Sequence, residues 1–200
     1  MVNLKSFKNL RTVGVFILYK NTFAFMIGPN KSLDKLGIVR FGGHIEEKES
    51  AIECITREIE EETSSEVEIV NSPITYYKND WDSGECIKTN DSLPFSKRPV
   101  IICGDDNRST IIFLSYAKKE LIPSAETNGI IYLNKNYVKR VCNSSVLLKD
   151  FIQAGGKIVE QRKLDPNLEI YAGPHLRFLN YLINANEHLI NDFMNNEHLL

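Results

Sequence analysis

Residues 42–65 read GGHIEEKESAIECITREIEEETSS, and the change of period within this stretch decides the fold. The glycine pair punctuates the chain and opens backbone angles closed to other residues. Ser50 and Glu53 then have the S-x-x-E spacing of a capping box, and Ala51, Ile52, Ile55 and Ile59 recur at helical spacing, which predicts a helix from about Ala51 to Thr63. On a helix turning about 100° per residue, with Glu58 at zero, Glu62 lies at about 40° and Glu61 at about −60°. Three carboxylates therefore share one arc. Ile55, Ile59 and Ile52 fall between about 60° and 120°, so the core-facing stripe borders that arc, while Glu53 and Glu60 point to the far, solvated side.

Carboxylates crowded at i, i+3 and i+4 repel one another, and beside a core they ask for a compensating cation or shared protons. All-oxygen ligation favours Mg²⁺ or Mn²⁺ over zinc or copper. Read without the glycines and Arg57, the same E-I-E-E-E run would be an ordinary solvated acidic face.

Working outward from the helix, Val13–Leu18 and Thr22–Ile27 read as strands joined by a hairpin at Tyr19-Lys20-Asn21, and Ile38–Phe41 as a short strand entering the glycine pair. Further strands are predicted at Val67–Val70, Ile74–Tyr77, Val100–Cys103, Thr110–Tyr116 and Ile130–Leu133. A polar stretch of twenty residues, 78–97, separates two of them, and a loop of that length is either functional or disordered. Gly104-Asp105-Asp106-Asn107-Arg108 reads as turn chemistry. A short helix near Ser145–Ala154 and a long amphipathic helix opening at Pro174 close the chain. With 42% apolar and 25% charged residues, the 200 residues are expected to form a single domain, with a C-terminal helical extension from about 144.

A net charge of −2 argues against a broad nucleic-acid or anionic-membrane footprint, and the apolar run Val13–Tyr19 is too short to span a bilayer. Cys54, Cys86, Cys103 and Cys142 are scattered without a C-x-x-C pair, which disfavours zinc and a disulfide framework. A cytoplasmic protein is expected.

Gly43, Glu49, Arg57, Glu58, Ile59, Glu61 and Glu62 match G-x5-E-x7-R-E-U-x-E-E-x-G-U, where U is a bulky aliphatic residue, and in this the chain resembles the Nudix hydrolases. Ser64 and Ser65 stand where that pattern has Gly and an aliphatic residue, so the helix must exit without its usual left-handed glycine, at a cost of about 1 kcal/mol. The resemblance implies an α/β/α sandwich of the α+β type, a mixed sheet between helices with a long C-terminal helix. It also implies an enzyme cutting a phosphoanhydride bond in a nucleoside diphosphate linked to another moiety.

In that reading Glu58, Glu61 and Glu62, with a carbonyl of Gly42 or Gly43, would bind Mg²⁺ or Mn²⁺, and Arg57 would orient Glu58. Glu49 would be structural. One glutamate of the helix, or Glu126 in the loop Pro123–Gly129, would take a proton from the attacking water. Arg40 is a candidate to meet a phosphate; Tyr77 and Trp81, with Tyr76, are candidates to stack on a planar group. Their bland alternatives are a solvated arginine and rings packed on the sheet, and for Arg57 an ion pair with Glu53 or Glu61. His44 and His175 receive no role.

The expected partner is a small nucleotide, not a nucleic acid or a membrane. A catalytically silent nucleotide-binding module is the alternative reading. A homodimer docked through Leu179, Leu182, Ile183, Ile190 and Phe193 of the last helix is compatible with either.

Overall fold

The first hairpin turns on Lys20 and Asn21, both left-handed at φ 47° and 61°. Two such residues give the tight turn whose twist matches its flanking strands, and Tyr19 pairs directly with Thr22. In this computed structural model, which describes residues 10–82, 85–89, 93–105 and 108–199, the hairpin comprises β1 (Leu10–Tyr19) and β2 (Thr22–Pro29). Asp106 and Asn107 lie outside the described residues, so the turn chemistry expected at 104–108 is described only in part.

β1 is buried on both faces, as expected of a central strand. It runs parallel to β8 (Ser109–Ala117) from Leu10 to Leu18, and antiparallel to β2 at its other edge. Beyond β8 follow β7 (Ile101–Gly104), β5 (Thr75–Lys78) and the short β6 (Ile87–Thr89), which lies inside the polar stretch; β4 (Val67–Val70) also pairs with β8. On the other flank β2 pairs with β9 (Gly129–Leu133) and with β3 (Lys35–Val39). β3 ends two residues before its expected limit, because Phe41 leaves β2 and bridges to Val15 of β1.

Helix α1 (Ala51–Thr63) covers one face with Ile55 and Ile59 against Val13, Val15 and Phe113. The other face is covered by α2 (Lys135–Asn143), α3 (Leu148–Gln153), α4 (Pro174–Ala185) and α5 (Glu187–Asn195). The architecture is an α/β/α sandwich around a mixed sheet, with helix at its C-terminal end.

Several features differ from the sequence reading. The segment after 144 is not purely helical: β10 (Lys157–Glu160) joins β9, and β11 (Glu169–Ala172) adds parallel to β3. Four-residue strands are too short to show a period by themselves. The terminal helix also divides at Asn186, so its apolar residues on both halves can turn inward. Leu179, Leu182, Ile183, Ile190 and Phe193 are all buried in the chain's own core, which corrects the expectation that they form a docking face. Helix α2 was missed, although Asn134 caps it by accepting from the Tyr137 backbone N–H.

No helix among the described residues is long and apolar enough to cross a membrane, and all four cysteines are free thiols.

Candidate active site

Helix α1 starts on the capping box read from the sequence: the Ser50 hydroxyl accepts from the Glu53 N–H, and the Glu53 carboxylate from the Ser50 N–H. At its end Ser64 adopts the left-handed conformation, φ 50°, and donates its N–H to the Glu60 carbonyl. The exit keeps the shape a glycine would give, with serine bearing the strain.

The glycine turn fits the helix atom by atom. Gly42 has φ +114°, and its N–H donates to Glu62 Oε2 at 2.9 Å. A Cβ on Gly43 would lie 2.1 Å from Glu58 Oε1, so the missing side chain is the space the Glu58 carboxylate occupies. The Gly43 carbonyl accepts from the Val13 N–H at 3.0 Å, which ties the turn to β1.

Arg57 gathers the remaining acids. Its Nε and Nη2 donate to the two oxygens of Glu49 at 2.9 and 3.1 Å, a bidentate fork; Nη1 donates to both Glu58 and Glu61 at 3.0 Å; and Nη2 reaches the His44 carbonyl. The pairing omits Glu53. Arg57 holds the Glu49 carboxyl below its usual range, and Glu49 in turn raises the arginine. Glu49 thus clamps Arg57, and Arg57 orients Glu58 and Glu61.

Glu62 is different. Burial, reinforced by the charges of Glu58 and Glu126, pushes its pKa up to about 8, against the opposing pull of the Gly42 N–H and Arg40. The influence of Glu126 reflects the loop that carries it, since the Ser124 N–H and the Thr127 hydroxyl both donate to the Glu62 carbonyl, at 2.9 and 3.0 Å. Glu126 itself is exposed.

This has a pH consequence. The folded pKa lies above the ordinary 4.5, so the native state keeps a proton that the unfolded chain loses, and stability declines as pH rises from about 4.5 through about 8. In a chelator-containing buffer the melting temperature of the wild type should fall most clearly from about 6.5 to about 8, because below 6.5 the partly buried, neutral His175 acts in the opposite sense. Glu62→Gln should flatten the fall, and parallel curves would remove Glu62 as its source.

Arg40 lies under the turn. It is 5% exposed, its side chain crosses Gly14 where a Cβ would come within 2.1 Å of it, and Nη1 donates to the Phe41 carbonyl. Burial lowers its pKa to about 10, so it stays cationic at neutral pH, near Glu62 and Glu58. Its Nε is buried without a partner among the described residues.

The aromatic candidates sit elsewhere. Tyr77 donates its hydroxyl to the Gly104 carbonyl from β5, which β8 and β7 separate from β1. Trp81 packs edge-on against His175, 4.6 Å between centroids, on the face covered by α4. Tyr76 is wholly buried. None of the three lines the cleft beside the glutamates.

That cleft has a volume of about 520 Å³, and Glu126, Thr127, Asn128, Met26, Tyr171 and His175 are among its walls. Sequence reasoning missed Thr127, Asn128, Tyr171 and His175, which come together only because β11 and α4 return to β3. Burial first, and then Arg40, lowers the His175 pKa to about 3, so its imidazole is neutral.

The site's donors are carboxylate and carbonyl oxygens, a set that suits a hard divalent cation. Among the described residues no three acidic, histidine or cysteine side chains converge on one point. Glu58 and Glu61 turn instead to Arg57, and Glu62 to the Gly42 N–H.

No family model and no curated protein sequence matches the chain. Among solved structures, it is similar to a NUDIX-family hydrolase from Clostridium perfringens, at 18% identity and TM-score 0.46, over 68% of this chain and 87% of that one. It is also similar to a putative nudix hydrolase family member from Chromobacterium violaceum, at 13% and 0.44 over 96% and 92%. An ADP-ribose pyrophosphatase from Streptococcus suis matches at 12% and 0.41 over 64% and 74%. These likenesses assign no residue a role.

Proposed function

We propose that this chain is a Nudix-type hydrolase that uses Mg²⁺ or Mn²⁺ to cut a phosphoanhydride bond in a nucleoside diphosphate linked to another moiety. The observation that carries the reading is the Glu58 carboxylate seated against Gly43 while Arg57 binds Glu49, Glu58 and Glu61. A solvated acidic face needs neither the bare glycine nor the shared guanidinium.

Glu58, Glu61 and Glu62, with a carbonyl of Gly42 or Gly43, would hold the ion. When bound, the ion neutralises phosphate charge and acidifies water. Glu49 and Arg57 keep Glu58 and Glu61 in register with the turn. Arg40, beneath Gly42, adds positive charge under the same carboxylates; its burial makes it a support for the turn more than a hand for the substrate.

Glu126 and Glu62 are the carboxylates that Arg57 leaves untied. The exposed Glu126 takes the proton from the attacking water as its oxygen bonds to phosphorus. The bridging P–O bond breaks, and a nucleoside monophosphate and a phosphorylated second product leave. Free thiols fit a reducing compartment such as the cytoplasm.

A nucleotide-binding module without turnover is the second reading, favoured by the way Glu58 and Glu61 turn to Arg57 while Glu62 turns to the Gly42 N–H. The test is release of phosphate or nucleoside monophosphate from nucleotide sugars, NADH, ADP-ribose, dinucleoside polyphosphates and nucleoside triphosphates with Mg²⁺ or Mn²⁺. Turnover by the wild type that collapses in Glu61→Gln supports the hydrolase. Silence across the panel together with tight binding of one member replaces it with the module.

A further inference from the structure

The register of the cleft's strands lines up four residues. β2 against β3 sets Gly28 opposite Gly37, and β3 against β11 sets Tyr171 beside Gly37. The β2–β9 pairing of Met26 with Ile130, continued two residues, brings Asn128 opposite Gly28, and the Asn128 Nδ2 lies 2.7 Å from where a Gly28 Cβ would be. Residues paired across strands project to the same face. One row therefore reads Asn128, Gly28, Gly37, Tyr171 across three strand spacings, about 14 Å. The Asn128 carboxamide lies over Gly28, so the bare peptide of the row is at Gly37. The next row along the strands places Met26 opposite Val39.

Nothing among the described residues requires a glycine at 37. Its φ is not left-handed, and a Cβ there would meet nothing nearer than the Gly28 carbonyl at 3.8 Å. Glycine inside a strand costs about 0.5–1 kcal/mol relative to alanine, and one common reason to keep it is close approach by another molecule. Around this bare floor Val39 and Tyr171 are 47% and 43% exposed, although the sheet's central strands are buried. The Asn128 carboxamide, at the row's other end, makes no hydrogen bond among the described residues.

We infer that this row is a base-binding platform: the base of a nucleotide lies flat on the Gly37 peptide, between the Tyr171 ring and the Asn128 carboxamide that lies over Gly28. A planar ring is the shape that bare peptide and flanking Met26, Val39 and Tyr171 accept. An amide offers one donor and one acceptor side by side, which matches the adjacent acceptor and donor on a base edge. Glu126 and Thr127 follow directly from Asn128 toward Glu62, so a base on the platform directs its phosphates to the glutamates. The inference deepens the proposed function and rests on it for the phosphate end alone.

The test is calorimetric binding of AMP, GMP, CMP, UMP and ribose 5-phosphate, in chelator, to wild type, Gly37→Ala and Gly37→Val. The wild type should bind at least one nucleotide 10-fold or more tightly than ribose 5-phosphate. Gly37→Val should lose that margin while its melting temperature holds or rises, and Gly37→Ala should fall between. Should the valine variant not fold, loss of part of the margin in Gly37→Ala supports the platform in its place.

No nucleotide preferred over ribose 5-phosphate, or a preference that survives in folded Gly37 variants, overturns the platform. The two readings fail separately. Base binding sensitive to Gly37 without any hydrolysis leaves the platform and removes the hydrolase, and hydrolysis indifferent to Gly37 does the reverse.

Discussion

Turnover by Glu58→Gln is expected to fall about 10³-fold, with the melting temperature changed by no more than a few degrees. Removal of a positioned catalytic carboxylate costs about 10²–10⁴ in rate, and Glu58 is the acid that both the Gly43 gap and Arg57 Nη1 hold in place. The amide keeps the volume and loses the charge, so the effect should appear in kcat with little change in KM. Glu60→Gln is the matching control, since Glu60 is exposed on the outer side of the same helix and should retain activity within about two-fold. Equal rates for the two variants would take Glu58 out of the chemistry.

Gly42→Ala should destabilise the fold by at least about 3 kcal/mol. A non-glycine residue at positive φ costs about 1–3 kcal/mol, and here the added Cβ would also lie 2.3 Å from the Val13 carbonyl oxygen, a backbone atom in the central strand that cannot swing away. For a chain of this length that loss lowers the melting temperature by roughly 6–12 °C. Gly43→Ala separates stability from function, because the three atoms its Cβ would meet first all belong to the end of the Glu58 side chain. It should melt close to wild type and lose activity; a reversed ranking would mean that the roles of the two glycines have been exchanged.

The helix and the cluster of acids were legible because their signals are local. Ser50 and Glu53 announce the start of α1 within four residues, and the 3.6-residue period puts Glu58, Glu61 and Glu62 on one side without any tertiary information. The Arg57–Glu49 clamp was half visible: Glu49 could be read as structural, but the fork to Arg57 depends on how the chain folds back between His44 and Ser50.

The cleft was not legible. Tyr171, Asn128 and Gly37 meet through strand pairings between distant segments, and short strands such as β10 and β11 have no period to detect. Only their chemistry recommends Tyr77 and Trp81 in the sequence, and strand order and sheet face carry them away from the glutamates. A cue was present in Gly37, a glycine inside the short strand β3, but it becomes a floor only once the register is known.

The addition of β11 beside β3 joins residues about 130 positions apart, whereas α1 and the glycine turn depend on neighbours within the first half of the chain and on the β1–β8 pair. Among the strands β11 pairs with β3 alone, at the margin of the sheet, and its other backbone ties run to the segment around Val146 and Leu147. The edge of the sheet carrying Tyr171 can therefore part from β3 without breaking any strand pair beneath the glycine turn, and the helix with its glutamates can stand complete while that edge is open.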